Sequence, residues 1–365
     1  MGLSRIGLRH VAGIIALVTG VAGCVALRSG LTEAPFLNPH LSGPHGSFWG
    51  YVSTRLFGDE AWARIDPVGY QTPVFMEAAP PRDDRARVTW VGHATVLIEY
   101  RGLAILTDPI WSKRASPLQW LGPRRFSDPG IAFEDLPPID AVVISHDHYD
   151  HLDRPTILRL GDAPVYFVPL RIDRWLRRQG ISADRIVALD WWQSDAESLR
   201  WRTDAQGSGS AQFTALPAQH FSGRNLTGRN QTLWASWQIQ VDDLNIYFGG
   251  DTGYNDVDFR EIGERLGPFD LGIIPIGAYR PRSFMGGIHV DPAQALQIHQ
   301  DVRARTSMGM HWGAFMLAAE HPEEVQRDLT AARQAAGLGA AEFATWSLGE
   351  TRIVPVTRAT GSGGG

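Results

Sequence analysis

The sequence predicts a layered α/β protein, on the evidence of its composition and its pattern of apolar residues. The 365 residues are 44% hydrophobic and 20% charged, which provides enough apolar side chains for a large core and excludes a disordered chain. From about residue 87 onward, short apolar runs alternate with helical patterns, and no long repeat is present. Strands interspersed with helices in this way are typical of sheets covered by helices.

Short apolar runs bounded by turn residues predict the strands. An Arg-Gly turn at residues 101–102 joins the second predicted strand to the third. Residues 141–144 are apolar throughout, as expected of a strand that is buried on both faces. The predicted strands span residues 88–91, 95–100, 103–107, 141–144, 212–216, 246–248, 271–274 and 307–310.

Capping residues predict two helices. Residues 171–179 form the first, which ends before Gly180. Residues 292–303 form the second, with Asp291 as the N-cap and a proline in the first turn. Polar residues at 205–210 predict a hairpin loop.

Charge and cysteine content exclude several classes of protein. The chain has 34 Lys and Arg residues against 39 Asp and Glu residues, a formal net charge of −5. Nucleic-acid binding requires clustered positive charge, so we expect no nucleic-acid partner. A single cysteine excludes both a disulfide framework and a cysteine-rich zinc module.

Residues 1–28 predict a targeting segment. Arg5 and Arg9 precede an apolar stretch that is shorter than the ~20 residues of a bilayer span. Residues 21–24, Val-Ala-Gly-Cys, resemble a bacterial lipobox, whose cysteine is lipidated and becomes the mature N-terminus. We therefore expect a lipoprotein-type signal, lipidated at Cys24, that attaches the protein to a membrane on the periplasmic side of a bacterial cell envelope. An uncleaved anchor helix is the alternative.

The rest of the chain divides into three parts. Residues 29–84 are rich in glycine, proline and aromatic residues, which predicts an extended arm over the core with one short helix near residues 58–65. Residues 85–356 form the folded domain. Residues 357–365 predict a flexible tail.

A dense group of metal-binding side chains follows the buried strand at 141–144. Three imidazoles and two carboxylates occur within six residues, in His146, Asp147, His148, Asp150 and His151. Core packing alone does not explain so many imidazoles and carboxylates in so short a segment. Imidazole and carboxylate ligands without thiolate suit zinc in an open catalytic site, and iron and manganese fit as well.

Three further residues extend this cluster. His220, Asp251 and His311 each end a predicted strand and open a loop, which is where α/β sheets place their sites. Each alone could be an ordinary loop residue. Together with the cluster they form one constellation.

The order His-X-His-X-Asp-His, followed by distant His, Asp and His residues, resembles the metallo-β-lactamase superfamily. The resemblance implies a four-layer αββα sandwich with the metals at one edge, between the two sheets. A cysteine ligand would have indicated a true β-lactamase, and the only cysteine lies in the leader. The resemblance further implies two zinc ions, one held by His146, His148 and His220, the other by Asp150, His151 and His311, with Asp251 bridging both.

Further motifs resemble the N-acyl-phosphatidylethanolamine-hydrolysing phospholipase D family over about residues 87–354. They include Thr-Trp-Val-Gly-His-Ala-Thr at 89–95, Leu-Asp-Trp-Trp at 189–192 and Ile-Gly-Ala-Tyr at 276–279. The resemblance implies a binuclear zinc phosphodiesterase that acts on N-acyl-phosphatidylethanolamine-like membrane phospholipids. Metal-hydroxide attack on phosphorus would then give phosphatidic acid and N-acylethanolamine.

Three residues are assigned to the chemistry. Asp251 contributes through its bridging position. Asp147 is expected to orient the ligands from behind. His289, which precedes the N-cap of the predicted helix 292–303, would protonate or position the leaving oxygen, or else be structural.

A lipid substrate also needs an apolar path with cations for its phosphate. Trp111, Trp120, Arg124 and Arg125 alternate in one segment that would suit such a path. Tyr279 of the Gly-Ala-Tyr motif is assigned to the same role. Alternatively, these tryptophans pack the sandwich and the charges are solvated.

Two other functions remain open at this point. One is a lactonase or phosphodiesterase that acts on a small soluble substrate with the same metal site. The other is a non-catalytic, membrane-tethered binding protein, which retention of all the ligands makes less favourable.

Overall fold

A computed structural model describes residues 33–41, 50, 53, 70–77, 79–80, 83–199, 202–203, 207–224 and 228–356. The predicted leader with Cys24, the short helix near residues 58–65 and the tail lie outside the described residues. Within the described part of the chain, no helix is long and apolar enough to cross a membrane. The chain divides into two units, Met1–Pro35 and Phe36–Gly365. All the strands and helices named here belong to the second unit.

Two seven-stranded mixed sheets form the centre of this unit, as far as it is described. The strands are β1 (Ala86–Gly92), β2 (Thr95–Tyr100), β3 (Leu103–Thr107), β4 (Ala141–Val143), β5 (Val165–Pro169), β6 (Ile186–Leu189), β7 (Ser194–Asp195), β8 (Arg202–Thr203), β9 (Gly207–Ser208), β10 (Ala211–Leu216), β11 (Ser236–Val241), β12 (Leu244–Phe248), β13 (Phe269–Pro275), β14 (Ala304–Met310), β15 (Phe343–Thr345) and β16 (Thr351–Val354).

The two sheets have the same arrangement of antiparallel and parallel strands. The first has the order β16-β1-β2-β3-β4-β5-β6 and the second the order β15-β14-β13-β12-β11-β10-β7. Strands β1 to β3 and β10 to β12 pair antiparallel, whereas β3 to β6 and β12 to β15 pair parallel. Both residues of the turn between β2 and β3, Arg101 and Gly102, have positive φ, as a tight two-residue hairpin requires.

Helices cover the outer faces of both sheets. They are α1 (Arg154–Leu160), α2 (Ile172–Arg178), α3 (Asp258–Arg265), α4 (Arg282–Met285), α5 (Pro292–Asp301) and α6 (Pro322–Ala336). Helices α1 and α2 bury Ile157 and Leu176 against Val142 and Ile144 of the first sheet. Helix α5 packs on β13 and β14, and α6 packs on α5 and β15. The predicted αββα sandwich is confirmed.

Aromatic side chains fill the space between the sheets. Phe167 of β5 stacks on Phe213 of β10 with ring centroids 3.8 Å apart, which joins the two sheets directly. Trp90 and Trp237, one from each sheet, are fully buried in the same core. Burying each of these rings contributes about 1.5–3 kcal/mol to the stability of the fold through the hydrophobic effect. The aromatic layer between the sheets therefore holds the two sheets together.

The described segments of the predicted arm contact this core. The Phe36 amide donates to the Asn230 carbonyl at 2.8 Å, and the Asn38 side chain donates to the His220 carbonyl at 2.6 Å. These contacts place part of the arm beside a predicted ligand. The boundaries 29–84 and 85–356 stay predictions.

Candidate metal centre

The predicted ligands lie at one edge of the sandwich, just after the carboxyl ends of four strands. The segment that contains His146 follows β4, whereas His220, Asp251 and His311 follow β10, β12 and β14. Strands from both sheets therefore supply the site. The structure brings together all seven predicted ligands, His146, His148, Asp150, His151, His220, Asp251 and His311.

One half of the site contains three imidazoles. His146 Nε2 lies 2.8 Å from His148 Nδ1, and His220 Nε2 lies 3.4 Å from the same atom. These three nitrogens and a carboxylate oxygen of Asp251 all lie within 4.8 Å of one another. That grouping is small enough for the four side chains to share one cation.

The other half contains Asp150, His151 and His311. The Nε2 atoms of the two histidines are 3.2 Å apart, and Asp150 Oδ2 lies 3.3 Å from His151 Nε2 and 3.4 Å from His311 Nε2. His93 joins this half because its Nε2 lies 3.0 Å from Asp150 Oδ2. The sequence left His93 without a definite role.

Asp251 lies between the two halves. Its Oδ1 is 3.0 Å from His311 Nε2 and its Oδ2 is 3.2 Å from His151 Nε2. The same Oδ2 is 3.8 Å from His146 Nε2 and 3.7 Å from His220 Nε2. This is the placement that a bridging carboxylate needs.

The residue before this carboxylate must be glycine. Gly250 has a φ of +57°, and a Cβ atom added there would lie 2.6 Å from the Cβ of Ser145. Any side chain would therefore push the end of β12 away from the loop that follows β4. The glycine lets ligands from the two sheets approach each other.

The protonation states differ between the two halves of the site. Burial lowers the pKa of His146 and His220 well below the usual value, so both rings are neutral and can offer a lone pair. Burial alone would raise the pKa of Asp251, but His151 and His311 hold it well below its usual range. Burial alone would lower the pKa of His151 and His311 as well, but the carboxylates of Asp251 and Asp150 raise it, to about 9 for His311. These two rings therefore carry protons near pH 7, and a bound cation would displace those protons.

His289 supplies an orphaned atom that faces the same centre. Its Nδ1 is buried, has no hydrogen-bond partner among the described residues, and lies 4.0 Å from Asp251 Oδ2. The ring is 5.1 Å from that of His220 and 5.5 Å from that of His311. A buried polar atom without a hydrogen-bond partner destabilises the folded state. A group bound in the centre would supply the missing partner of this nitrogen.

Asp108, immediately after β3, orients ligands of both halves. Its Oδ2 accepts from His151 Nδ1 at 2.7 Å and from Ser145 Oγ at 2.6 Å, and its Oδ1 accepts from the Ser145 amide at 2.7 Å. Ser145 Oγ in turn lies 2.9 Å from His146 Nδ1. Sequence reasoning did not assign Asp108 to the site. Its position directly after the predicted strand 103–107 was the available signal.

His220 is oriented by the backbone. Its Nδ1 donates to the Ile288 carbonyl at 2.9 Å, which turns Nε2 toward the centre. Ligand histidines commonly hold their tautomer in this way.

Asp147 acts on the ligands only indirectly. Its carboxylate accepts from the Gly223 amide at 2.8 Å, and its carbonyl accepts from Arg224 at 2.7 Å. It therefore ties the loop after His220 to the loop of His146. The expectation that Asp147 orients the ligands from behind stays a prediction.

Three of the predicted substrate contacts are buried or partly buried within the fold. Trp111 donates to the Ile131 carbonyl at 2.9 Å and is partly buried, because it packs against the outer layer of the first sheet. Arg125 is buried and donates to the Ile110 carbonyl at 2.8 Å. Tyr279 is buried and donates to Asp328 at 2.7 Å. The hydrogen bonds of Trp111 and Tyr279 point away from the metal ligands, whereas Arg125 Nη1 is buried without a hydrogen-bond partner among the described residues. Contact of these three residues with a substrate stays a prediction.

Trp120 and Arg124 are placed differently from these three. Both side chains are exposed on a loop that follows β3. Their place in a path for a lipid substrate stays a prediction.

Comparison with known proteins identifies the class. Residues 104–312 match the β-lactamase superfamily domain. A metallo hydrolase from the archaeon Ignicoccus hospitalis has the same fold, with a TM-score of 0.53 and 23% identity over 74% of this chain and 99% of that one. The chain therefore belongs to the metallo-β-lactamase superfamily and is a metal-dependent hydrolase.

Within this superfamily, two relatives carry the same name. A Caenorhabditis elegans protein, N-acyl-phosphatidylethanolamine-hydrolyzing phospholipase D 1, is 41% identical over 272 residues, covering 72% of this chain and 74% of that protein. The mitochondrial Saccharomyces cerevisiae protein of that name is 33% identical over 237 residues, covering 64% of this chain and 48% of the yeast protein. The chain thus spans about half the length of the yeast protein.

Proposed function

We propose that this hydrolase is a phosphodiesterase of phospholipase D type. Its substrates are N-acyl-phosphatidylethanolamine-like membrane phospholipids, and its products are phosphatidic acid and N-acylethanolamine. The observation that carries the proposal is the Asp251 carboxylate, which lies within 3.0–3.8 Å of imidazoles from both halves of the site. The 41% identity to the worm enzyme supports the choice of substrate.

The proposed cofactor is a pair of zinc ions, shared between the two halves through Asp251. When bound, divalent cations lower the pKa of water and stabilise the charge on phosphoryl oxygens. His146, His148 and His220 would hold one ion, and Asp150, His151 and His311 the other.

The residues of the chain then have separable tasks. Asp108 fixes the direction in which His151 and, through Ser145, His146 present their nitrogens. Burial lowers the pKa of His289 to about 4, so its ring is neutral near pH 7. A neutral ring suits a hydrogen bond to the leaving alcohol oxygen better than full proton donation. We therefore assign His289 to positioning that oxygen.

A lipid substrate places the enzyme at a membrane surface. Attachment through Cys24 rests on residues 21–24 alone and stays a prediction of the sequence.

Isotopic labelling tests the proposed reaction. We expect purified, zinc-loaded protein to convert N-acyl-phosphatidylethanolamine vesicles in oxygen-18 water to phosphatidic acid that carries one labelled phosphate oxygen. The released N-acylethanolamine should be unlabelled, because water attacks phosphorus and the alcohol keeps its own oxygen. Mass spectrometry of both products gives the answer.

Two outcomes would contradict the proposal. Label in the released alcohol would rule out attack on phosphorus. Turnover of short soluble phosphodiesters or lactones without turnover of the phospholipid would favour the soluble-substrate alternative. The matched control is the Asp251→Ala protein, which should release neither product.

A further inference from the structure

The loop of residues 113–124, here called the tip loop, exposes an apolar cluster. Trp120 is 73% exposed, Leu121 57% and Leu118 42%. The other exposed large apolar side chains of the described residues are Leu37, Val74, Met76, Leu158 and Val257, and among these only Val74 and Met76 lie close together in the sequence. Single exposed apolar residues are ordinary, but a cluster on a soluble surface indicates an interaction site.

Hydrogen bonds hold the tip loop in a defined shape. The Ala115 amide donates to the Pro123 carbonyl at 3.0 Å, and the Arg125 amide donates to the Lys113 carbonyl at 2.8 Å, so the two arms of the loop pair antiparallel. At the tip, the Leu121 amide donates to the Leu118 carbonyl at 3.1 Å. The apolar cluster is therefore presented by a folded hairpin.

A glycine closes the hairpin. Gly122 has a φ of +101°, and a Cβ atom there would lie 2.7 Å from the Cβ of Ser116. The close approach of the two arms excludes a side chain at this position. The shape of the tip loop is thus built into the sequence.

The charge of the tip loop is opposite to that of the whole chain. The loop contains Lys113, Arg114 and Arg124 and no acidic residue, whereas the chain has a formal net charge of −5. Lys113 and Arg124 are exposed and form no ion pair with any described residue. Exposed cations around tryptophan and leucine match the phosphates and acyl boundary of an anionic bilayer.

The tip loop lies at the edge of the sandwich that carries the metal ligands. It follows β3, which runs parallel to β4, and the loop after β4 contains His146. At its base, the Phe126 amide donates to the Ala314 carbonyl at 2.9 Å, three residues beyond His311. A membrane that receives the tip would face this edge.

We propose that the tip loop docks on phospholipid bilayers, with Leu118, Trp120 and Leu121 at the acyl boundary and with Lys113 and Arg124 on lipid phosphates. The proposal rests on the proposed function only in expecting the enzyme to work at a lipid surface. Docking can be measured without turnover, so failure of the docking proposal can be distinguished from failure of the proposed reaction.

A dye attached at the tip tests this proposal directly. The full-length chain, with Cys24→Ser to remove the only other thiol, carries Leu121→Cys labelled with an environment-sensitive dye. On vesicles of phosphatidylcholine and phosphatidylglycerol, the dye should shift to the blue and be quenched by nitroxide lipids. Leu158→Cys, on the outer helix α1, is the matched control and should show neither change.

Substitutions test the two components separately. Replacing Leu118, Trp120 and Leu121 with serine should weaken partition into these vesicles by about tenfold or more, because apolar burial is lost. The pair Lys113→Glu and Arg124→Glu should weaken binding to anionic vesicles several-fold and binding to neutral vesicles little. All these side chains are exposed, so the fold should be unaffected, as circular dichroism can verify.

Three results would overturn the proposal. The first is a dye at residue 121 that stays unshifted and unquenched while the protein floats with the vesicles. The second is failure of the wild-type chain to bind vesicles at all. The third is a dye response that depends on protein concentration without lipid, which would indicate a second copy of the chain as the partner.

Discussion

Asp251→Ala should abolish hydrolysis and remove most of the bound metal. The carboxylate contacts imidazoles of both halves of the site, with 3.0 Å to His311 and 3.2 Å to His151. Its loss leaves neither half with its shared ligand. Loss of a group that only supports a ligand costs about 10–100-fold in metal affinity or activity, and loss of a direct ligand should exceed that. Metal analysis by mass spectrometry and the labelled phospholipid assay measure the two effects.

A matched variant separates this effect from general loss of negative charge. Asp256, like Asp251, lies in the loop that follows β12. Its side chain is exposed and forms an ion pair with Arg260 at 3.6 Å. Asp256→Ala should keep full metal content and near-normal turnover. Asp251→Ala protein with full metal content and full turnover would remove the basis for the proposed centre.

Asp108→Ala should destabilise the fold and weaken metal binding together. The substitution leaves three buried donors without their acceptor, the Ser145 amide, Ser145 Oγ and His151 Nδ1. We expect a loss of about 3 kcal/mol or more in the free energy of unfolding of the metal-depleted protein. Metal affinity should fall by about 10–100-fold, because His151 and His146 lose their orientation.

Asp140→Ala is the control for the fold component. Asp140 accepts one hydrogen bond, from the Ala104 amide at 2.9 Å, within the same sheet and away from the ligands. Its loss should cost about 1 kcal/mol in unfolding free energy and leave metal affinity unchanged. Urea unfolding measures the free energy of unfolding, and zinc titration measures the metal affinity. If Asp108→Ala and Asp140→Ala lower both quantities by the same amounts, Asp108 has no special role in orienting ligands.

The fold was predictable where local chemistry decides the structure. Strands β2 and β3 begin and end at the predicted residues because the Arg101-Gly102 turn fixes their pairing. The predicted N-cap Asp291 accepts from the Gln294 amide at 2.9 Å and starts α5 there.

Elements that depend on distant partners were missed. Strand β11 alternates apolar residues with glutamines, and the buried Gln238 is satisfied only by Thr214 and Asn245 of its neighbour strands. Strands β15 and β16 are short edge strands. Each pairs with a single neighbour, in a sheet whose other strands come earlier in the chain. No short window of sequence contains this information.

The same division applies to the site. The grouping of the seven candidate ligands could be predicted because each follows a strand and belongs to a residue type that binds metal. The roles of Asp108 and His93 could not be predicted, because they come from contacts between separate strands and loops. The pattern of aromatic and basic residues also gave no indication that Trp111 and Arg125 turn inward whereas Trp120 turns outward.

The metal content of the purified wild-type chain shows whether the two halves of the site hold one cation each. After saturation with zinc and removal of free ions, we expect about two ions per chain, as a two-metal site requires. We expect the Asp251→Ala protein to bind fewer ions. A wild-type chain that binds no more than one ion when saturated with zinc, iron or manganese would contradict a shared centre built around Asp251.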